Sequence, residues 1–321
     1  FTLFIWLAVF FITASTGNVF ADYMLGIALC VLAINSVYLL LLAHPLDVFE
    51  PRIGRGSVRS RLHWVYTASI SLRGVGWTTP AKHIPAPRAH NRTDFVLSTV
   101  LRAVRQFILF DAARVYVCYN PVFAAHNPAS VSVSITSQGC LLRCASIIAW
   151  GAMPYCAFDM AHSLLAVVSV ALELSEARAW PPLFGRWKDA YTLRRFWGRT
   201  WHQLLRRPLS AIAKSAARSL GFKPGSRGSS YVQLYLVFIL SGAVHVGGDA
   251  KLNARHTGFS WPFFVLQAMA ITLEDAVIGL ARHAGFTDAT PLAHLVGYLW
   301  VCSWFYVSYP VWVDGQLAAG L

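Results

Sequence analysis

Charged residues are scarce in this chain, and acidic ones scarcer still. Asp, Glu, Lys and Arg together account for 13% of the 321 residues, and only 14 residues are Asp or Glu. Hydrophobic residues account for 56%, and the mean hydropathy is +0.50. A soluble core of this size cannot hide so much apolar surface. The composition therefore excludes an ordinary soluble protein and predicts one embedded in lipid.

Common nucleotide and hydrolase motifs are absent. The sequence contains no GxGxxG, P-loop or GxSxG, which argues against nucleotide hydrolysis and serine-esterase chemistry. Its six cysteines are scattered, so we expect no disulfide framework. Cys140 and Cys144 are spaced to share a helix face, but no nearby His or Cys pair completes a zinc site. We therefore expect no bound metal.

Positive charge is abundant but confined. The net charge of +13 is typical of nucleic-acid-binding proteins. However, 20 of the 27 Lys and Arg residues lie in two segments, 44–92 and 178–228, which separate apolar runs. Such asymmetry is typical of a membrane topology signal. We expect both segments on the cytosolic side and no nucleic acid as a partner.

Apolar runs predict the architecture. A membrane-spanning helix needs about 20 apolar residues, and candidate runs occur at 1–15, 23–43, 95–123, 143–175, 230–247, 259–283 and 291–313. We expect an all-α polytopic membrane protein with six to eight transmembrane helices and some interfacial or re-entrant ones. No internal repeat divides it, so we expect residues 1–321 to form one membrane-embedded domain.

Two features of these runs complicate the prediction. The run 143–175 is long for one straight span and short for two spans with a turn, and Pro154 is the candidate for a break. The chain begins with Phe1 rather than Met, so we expect the natural start to lie upstream.

The stretch from Arg195 to Gln203 is the first candidate site. If it is helical, Arg195, Arg199 and His202 share one face at i, i+4 and i+7. Their guanidinium groups could then hold an anionic cofactor such as a CoA phosphate. Composition alone favours the alternative of an interfacial helix whose arginines contact lipid headgroups and whose Trp rings anchor it.

His245 is the second candidate, because it ends a strongly apolar run. An ionisable group at membrane depth indicates a functional site, and a neutral imidazole can take a proton from an alcohol. A packing histidine bonded to a neighbouring helix is an equal alternative. Asp249 follows one turn later and could orient His245, although Gly247-Gly248 are expected to end the helix between them.

The adjacent acidic residues Glu274 and Asp275 also lie in an apolar run. Neighbouring residues in a helix point about 100° apart, so these two cannot form a two-carboxylate site. We expect them to satisfy Arg side chains or backbone groups between helices.

Several of these stretches resemble one family. Arg194–His202 (RRFWGRTWH) resembles the R-x-F-W-x-R-x-W-H/N signature of wax synthase-like members of the membrane-bound O-acyltransferase superfamily, and Ser241–His245 resembles its intramembrane histidine segment. Further stretches agree in the expected order: Leu72–Trp77 with Lys82–Pro85, Trp180–Gly185 with Asp189–Tyr191, and Gln267 through Leu273–Asp275.

The resemblance implies an acyl-CoA:alcohol O-acyltransferase. It implies catalytic roles for His245, as the base, and for His202, whose position holds Asn in many members. Arg195, Trp197, Arg199 and Trp201 would then line the acyl-CoA site. The Trp-His-Gln pattern at 201–203 is most similar to fungal acetyltransferases of terpenoid or meroterpenoid natural products. That similarity implies acetyl-CoA, a lipophilic alcohol and membrane lipids as partners, and an endoplasmic reticulum location.

Three alternatives remain open at this point. A long-chain wax or sterol ester synthase would use a longer acyl donor within the same enzyme class. A transporter would also place polar groups at membrane depth, although no internal symmetry supports it. A structural membrane subunit would carry no activity.

Overall fold

The computed structural model describes residues 13–43, 72–75, 91–124, 134–252, 257–286 and 290–321, together with Val9 and Val58. Seven long helices form this part: α1 (Val19–Val37), α2 (Arg92–Tyr119), α3 (Cys140–Ala171), α4 (Arg206–Ser219), α5 (Arg227–Leu252), α6 (Ser260–His283) and α7 (Pro291–Ala318). The described residues contain no β-strand. The predicted all-α class is confirmed.

Four helical segments are long and apolar enough to cross a bilayer: Val19–Leu42, α3, α5 and α6. They correspond to four of the predicted runs. Two other runs, 95–123 and 291–313, form the helices α2 and α7, each of 28 residues. Most of the run 1–15 and most of the basic segment 44–92 lie outside the described residues.

Helix α3 passes through Pro154 without interruption, so the expected break there is wrong. Its 32 residues form one helix about 48 Å long at 1.5 Å per residue. A proline removes one backbone hydrogen bond, but inside a membrane protein neighbouring helices and local adjustments compensate for that loss. Sequence length alone could not distinguish one long helix from two short ones.

Buried polar side chains join α3 to its neighbours. The carboxylate of Asp159 is fully buried and accepts hydrogen bonds from Arg102 Nε and Gln106 Nε2 of α2, both at 2.7 Å. His162, one turn later, accepts from Arg73 at 3.1 Å. Arg73 also donates to the carbonyls of Pro181 and Pro182 at 2.9 and 2.8 Å. These contacts hold the segment around residues 72–75 and the Trp180–Gly185 stretch against α3.

Helices α1 and α5 pack extremely closely. A Cβ on Gly26 of α1 would lie 2.0 Å from the carbonyl oxygen of Gly247, and one on Gly248 would lie 2.6 Å from the Tyr23 ring. Small residues at such contacts are typical of membrane helices. Gly247 and Gly248 therefore do not end the helix as expected, and α5 continues to Leu252.

Candidate active site

The segment from Leu193 to Gln203 is not a regular helix. One helical turn, Leu193–Arg195, is capped by Thr192 and continues as a π-helical turn, Phe196–Thr200. The chain becomes extended at Trp201, with ψ of 157°. Gln203 donates to the carbonyls of Trp197, within the π turn, and Trp201, just after it, at 3.0 and 2.6 Å. The expected common helix face of Arg195, Arg199 and His202 is therefore wrong.

Glu274 of α6 fixes the start of this segment. Its carboxylate accepts the backbone N–H groups of Leu193 and Arg194 at 2.6 and 3.0 Å, and the Trp300 indole N–H at 2.9 Å. Asp275 pairs with the Arg194 guanidinium at 2.5 Å. The prediction that these two acids serve an Arg and backbone groups between helices is confirmed.

Trp197 and Trp201 of this segment belong to a cluster of packed aromatic side chains. Trp197 packs edge-on against Phe238 and Phe263, with ring centroids 5.9 and 6.3 Å away. Its indole N–H donates to Gln267 at 3.4 Å. Trp201 stacks on Phe196 at 5.8 Å. These rings shape a wall and hold the neighbouring side chains in place.

His245 lies in the last third of α5, seven residues before its end, among aromatic rings. Its imidazole stacks on Phe264 at 4.7 Å and meets the edge of Trp312 at 5.1 Å. The Tyr23 hydroxyl of α1 lies 3.4 Å from its Nδ1. Since Nδ1 faces Tyr23, Nε2 is the nitrogen that can serve a substrate.

Asp249 does not pair with His245, so that expectation is wrong. Its fully buried carboxylate instead accepts the backbone N–H of Ser260 at 3.0 Å and the Ser260 hydroxyl at 2.6 Å. The Ser260 oxygen in turn accepts the Trp312 indole N–H at 3.0 Å. Asp249 thus links the end of α5 to the start of α6. Through Ser260 it is also connected to Trp312, whose ring contacts His245.

His202 follows the π turn and sits against three aromatic rings, those of Phe158, Phe184 and Trp201. This burial disfavours the imidazolium and lowers the pKa of His202 to about 4. The ring is therefore neutral near pH 7. Its buried Nδ1 has no hydrogen-bond partner among the described residues, an uncommon situation for a buried polar atom.

One large cavity, of about 3480 Å³, brings the predicted site residues together. Its lining includes all six of them: Arg195, Trp197, Arg199, Trp201, His202 and His245. Their joint position on one cavity could not be deduced from spacing, because His245 and His202 belong to different elements.

The two arginines expected to contact acyl-CoA differ in their surroundings. Arg195 donates to the Asp189 carbonyl at 3.0 Å and stacks over the Tyr191 ring at 4.2 Å. Arg199 is exposed at the cavity. Arg206 also lines the cavity and donates to Gln203 at 2.8 Å. This cluster of positive charge suits a phosphate-bearing substrate.

Sequence reasoning missed Tyr23, which lies 222 residues from His245 along the chain. Gln267, fully buried, was noted only within a matching stretch, yet it accepts from both Trp197 and Trp304. Within the ranges the structure describes, no group of three or more His, Cys, Asp or Glu side chains could hold a metal.

Comparison with known proteins gives two family matches. Residues 180–266 match the Membrane bound O-acyl transferase family, and residues 91–171 match the Aspirochlorine biosynthesis protein F C-terminal domain. No solved structure matches the chain.

Three curated relatives are named as acetyltransferases. Acetyltransferase ple2 of Rhodocybe pseudopiperita is 33% identical over 95% of this chain and 80% of its own length. Acetyltransferase eriL of Hericium erinaceus is 30% identical over 83% and 69%, respectively. Acetyltransferase aurG of Calcarisporium arbuscula is 29% identical over 80% and 65%.

Proposed function

Because the chain belongs to the membrane-bound O-acyl transferase family, we propose that it acetylates a lipophilic terpenoid or meroterpenoid alcohol from acetyl-CoA, with His245 as the general base. Family membership makes it an integral membrane enzyme that takes an acyl-CoA donor and a small-molecule acceptor. The acetyl donor, the terpenoid acceptor, the base and an endoplasmic reticulum location belong to the proposal.

The acetyl donor is supported by the relatives, which are named as acetyltransferases. The Trp-His-Gln pattern at residues 201–203 supports a terpenoid-type acceptor by its similarity to fungal natural-product enzymes. A lipophilic alcohol suits a cavity whose wall is built largely from aromatic and aliphatic side chains.

The position of His245 is the observation that best supports the proposal. Its ring lines the cavity and belongs to α5, a helix long and apolar enough to cross a membrane, and the Tyr23 hydroxyl lies 3.4 Å from its Nδ1. In the proposed reaction, Nε2 takes the proton of the acceptor hydroxyl while its oxygen attacks the thioester carbonyl. The C–S bond then breaks, the new C–O bond remains, and the proton passes to the CoA sulfur. No covalent acyl-enzyme is needed.

His202 is the proposed donor to the oxyanion that forms during this attack. A neutral imidazole carries one N–H that can stabilise negative charge on the carbonyl oxygen. Its low pKa keeps it neutral, and its buried Nδ1 lacks a partner among the described residues. The indole N–H of Trp201, on the same wall, is the second candidate donor.

Arg199 is the proposed contact for the CoA phosphates, since it is exposed at the cavity. Arg195 already has a carbonyl acceptor and a stacking partner, so we assign it to shaping that region as well as to binding. Trp197 then forms part of the wall rather than a direct polar contact.

An activity assay with purified protein tests the proposed donor and the proposed acceptor together. Acetyl-CoA and palmitoyl-CoA are offered separately with a panel of terpenoid alcohols, and products are identified by mass spectrometry. Acetate esters with release of free CoA support the proposal. Turnover with palmitoyl-CoA alone would instead indicate a wax or sterol ester synthase, and vectorial uptake into liposomes without esters would indicate a transporter.

A further inference from the structure

Arg73 is a buried arginine that takes part in no ion pair within the described ranges. Its guanidinium donates to the carbonyls of Pro182 and Pro181 at 2.8 and 2.9 Å and lies 3.1 Å from Nε2 of His162 on α3. Burying a positive charge without a carboxylate is costly, and the charge-assisted hydrogen bonds of a guanidinium offset part of that cost. One planar group thus joins three partners on two elements of the fold.

The two carbonyls belong to the Trp180–Gly185 stretch, which packs against the segment that carries His202. Phe184 of this stretch is buried, and its ring meets the His202 imidazole edge-on, with centroids 6.0 Å apart. The N–H of Gly185 donates to the Thr200 carbonyl at 2.9 Å. A shift of this stretch would therefore be passed to His202.

His162, the third partner of Arg73, lies one turn after Phe158 on α3. The Phe158 ring meets the same His202 imidazole edge-on, with centroids 5.7 Å apart and an angle of 88° between the planes. Residues four apart on a helix share one face, so α3 contacts Arg73 and His202 from the same side. Arg73 therefore fixes the spacing between the two phenyl rings that touch the imidazole.

Packing is what orients the His202 ring at its Nδ1 edge. That nitrogen is buried and has no hydrogen-bond partner among the described residues. Functional imidazoles are commonly oriented by a hydrogen bond at the nitrogen that does not meet the substrate. An oxyanion donor must point at the position where the charge develops, so the neighbouring rings have to supply this orientation.

Resting on the proposed role of His202 as oxyanion donor, we infer that Arg73 is a positioning residue for the His202 imidazole. By joining the Trp180–Gly185 stretch to α3, it holds the Phe184 and Phe158 rings where they aim the imidazole into the cavity. Arg73 is not among the residues that line the cavity, so its effect on the reaction passes through these rings.

Arg73→Lys keeps the charge, but an ammonium group does not reproduce the planar fork that reaches both carbonyls and the imidazole. With acetyl-CoA and an accepted alcohol, we expect kcat to fall by about 10- to 100-fold, as is typical when an orienting partner is lost. The KM values for both substrates should stay within about twofold, because no substrate contact is removed.

Arg92→Lys is the matched control. Arg92 also donates to a backbone carbonyl, that of Ala171 at the end of α3, but it does not line the cavity. Its kcat should equal that of wild type.

Two further measurements separate positioning from general destabilisation. In a His202→Ala background, Arg73→Lys should cause no further loss of the residual kcat, since it acts through the imidazole. Phe184→Leu removes a ring that contacts His202 but leaves the backbone carbonyls that Arg73 holds, and it should lower kcat at nearly constant KM. This variant decides the question if Arg73→Lys does not fold.

The outcomes distinguish this inference from the proposed function. An active wild-type protein beside fully active Arg73→Lys and Phe184→Leu overturns the inference alone, as does an equal loss of kcat with and without the His202 imidazole. Wild-type activity of His202→Ala removes the oxyanion donor and the inference with it, while His245 keeps its proposed role. A wild-type protein that forms no ester overturns the proposed function as a whole.

Discussion

The carboxylate of Glu274 accepts the backbone N–H of Leu193 at 2.6 Å, which ties the first residue of the cavity-lining turn to the middle of α6. The same carboxylate accepts the N–H of Arg194 and the indole of Trp300. One buried acid thus satisfies three donors, two of which belong to a helical turn that could not otherwise pair them.

We expect Glu274→Ala to destabilise the protein by about 2–4 kcal/mol, because it leaves several buried donors without an acceptor. Activity should fall with it, since the turn carries Trp197 and Arg199. The free energy of unfolding in detergent measures the first effect. Asp275→Asn is the control. Its partner Arg194 is half-exposed, and partly exposed ion pairs contribute about 0–1 kcal/mol.

Residue type and spacing predicted the role of Glu274 and Asp275, because the angle between adjacent helix positions excluded a shared site. The helical class and four of the spans followed from long apolar runs. The same reasoning misjudged Pro154 and Gly247-Gly248. Both are helix breakers in isolation, and only the packing of α3 and the contact with α1 show that they lie inside continuous helices.

The site was harder to predict than the fold. The predicted His and Arg residues all line the cavity, while their catalytic and binding roles stay predictions. A π turn at Phe196–Thr200 replaces the regular helix that was expected to align them. Tyr23 carried no local signal, since its relation to His245 exists only after α1 packs on α5. Asp249 was considered as a partner of His245 because the two are four residues apart in the sequence, yet its hydrogen-bond partner is Ser260.

Gly247→Ala should disturb the site through this helix contact. Its Cβ would lie 2.4 Å from Cys30 Sγ and 2.7 Å from the Gly26 carbonyl oxygen, so α1 must move away. Tyr23 moves with α1, and we expect a loss of activity of about tenfold or more, with destabilisation of about 1–3 kcal/mol. Turnover and thermal unfolding of the purified variant measure both effects.

Gly279→Ala provides the comparison. It lies within α6, where an added Cβ meets nothing within 4 Å, so activity should be unchanged and the helix slightly favoured. Equal behaviour of the two variants would contradict the importance of the close contact between α1 and α5.

His202 should make the protein sensitive to acid. Its pKa in the folded protein is about 4, below the ordinary value of 6.5. Between these values the unfolded chain binds a proton that the folded chain does not, so stability falls as pH drops from 6.5 toward 4. Above pH 6.5 the effect is absent.

His202→Asn removes this titration. We expect the loss of thermal stability between pH 7.5 and pH 5 to be smaller in the variant than in wild type. The shape of the pH–rate profile above pH 6 should stay the same, because His202 is already neutral there. An identical loss of stability in both proteins would mean that His202 is not buried as a neutral ring.

Arg199→Ala should weaken the donor rather than the chemistry. Loss of one charge-assisted contact to a phosphate should raise the KM for acetyl-CoA about tenfold, or about 1.4 kcal/mol, with kcat changed little. Arg178→Ala is the control, since Arg178 is exposed and pairs with Glu176 at the surface. Steady-state kinetics at two salt concentrations check this. Similar KM values for both variants would mean that a residue other than Arg199 contacts the phosphates.

The most direct test of the account is the rate of ester formation by purified His245→Ala beside wild type, with acetyl-CoA and an accepted alcohol. We predict a folded, membrane-inserted variant whose kcat is lower by about 100-fold or more, as expected when a general base is removed. Turnover at the wild-type rate by His245→Ala would contradict the central claim that this histidine takes the proton from the acceptor hydroxyl.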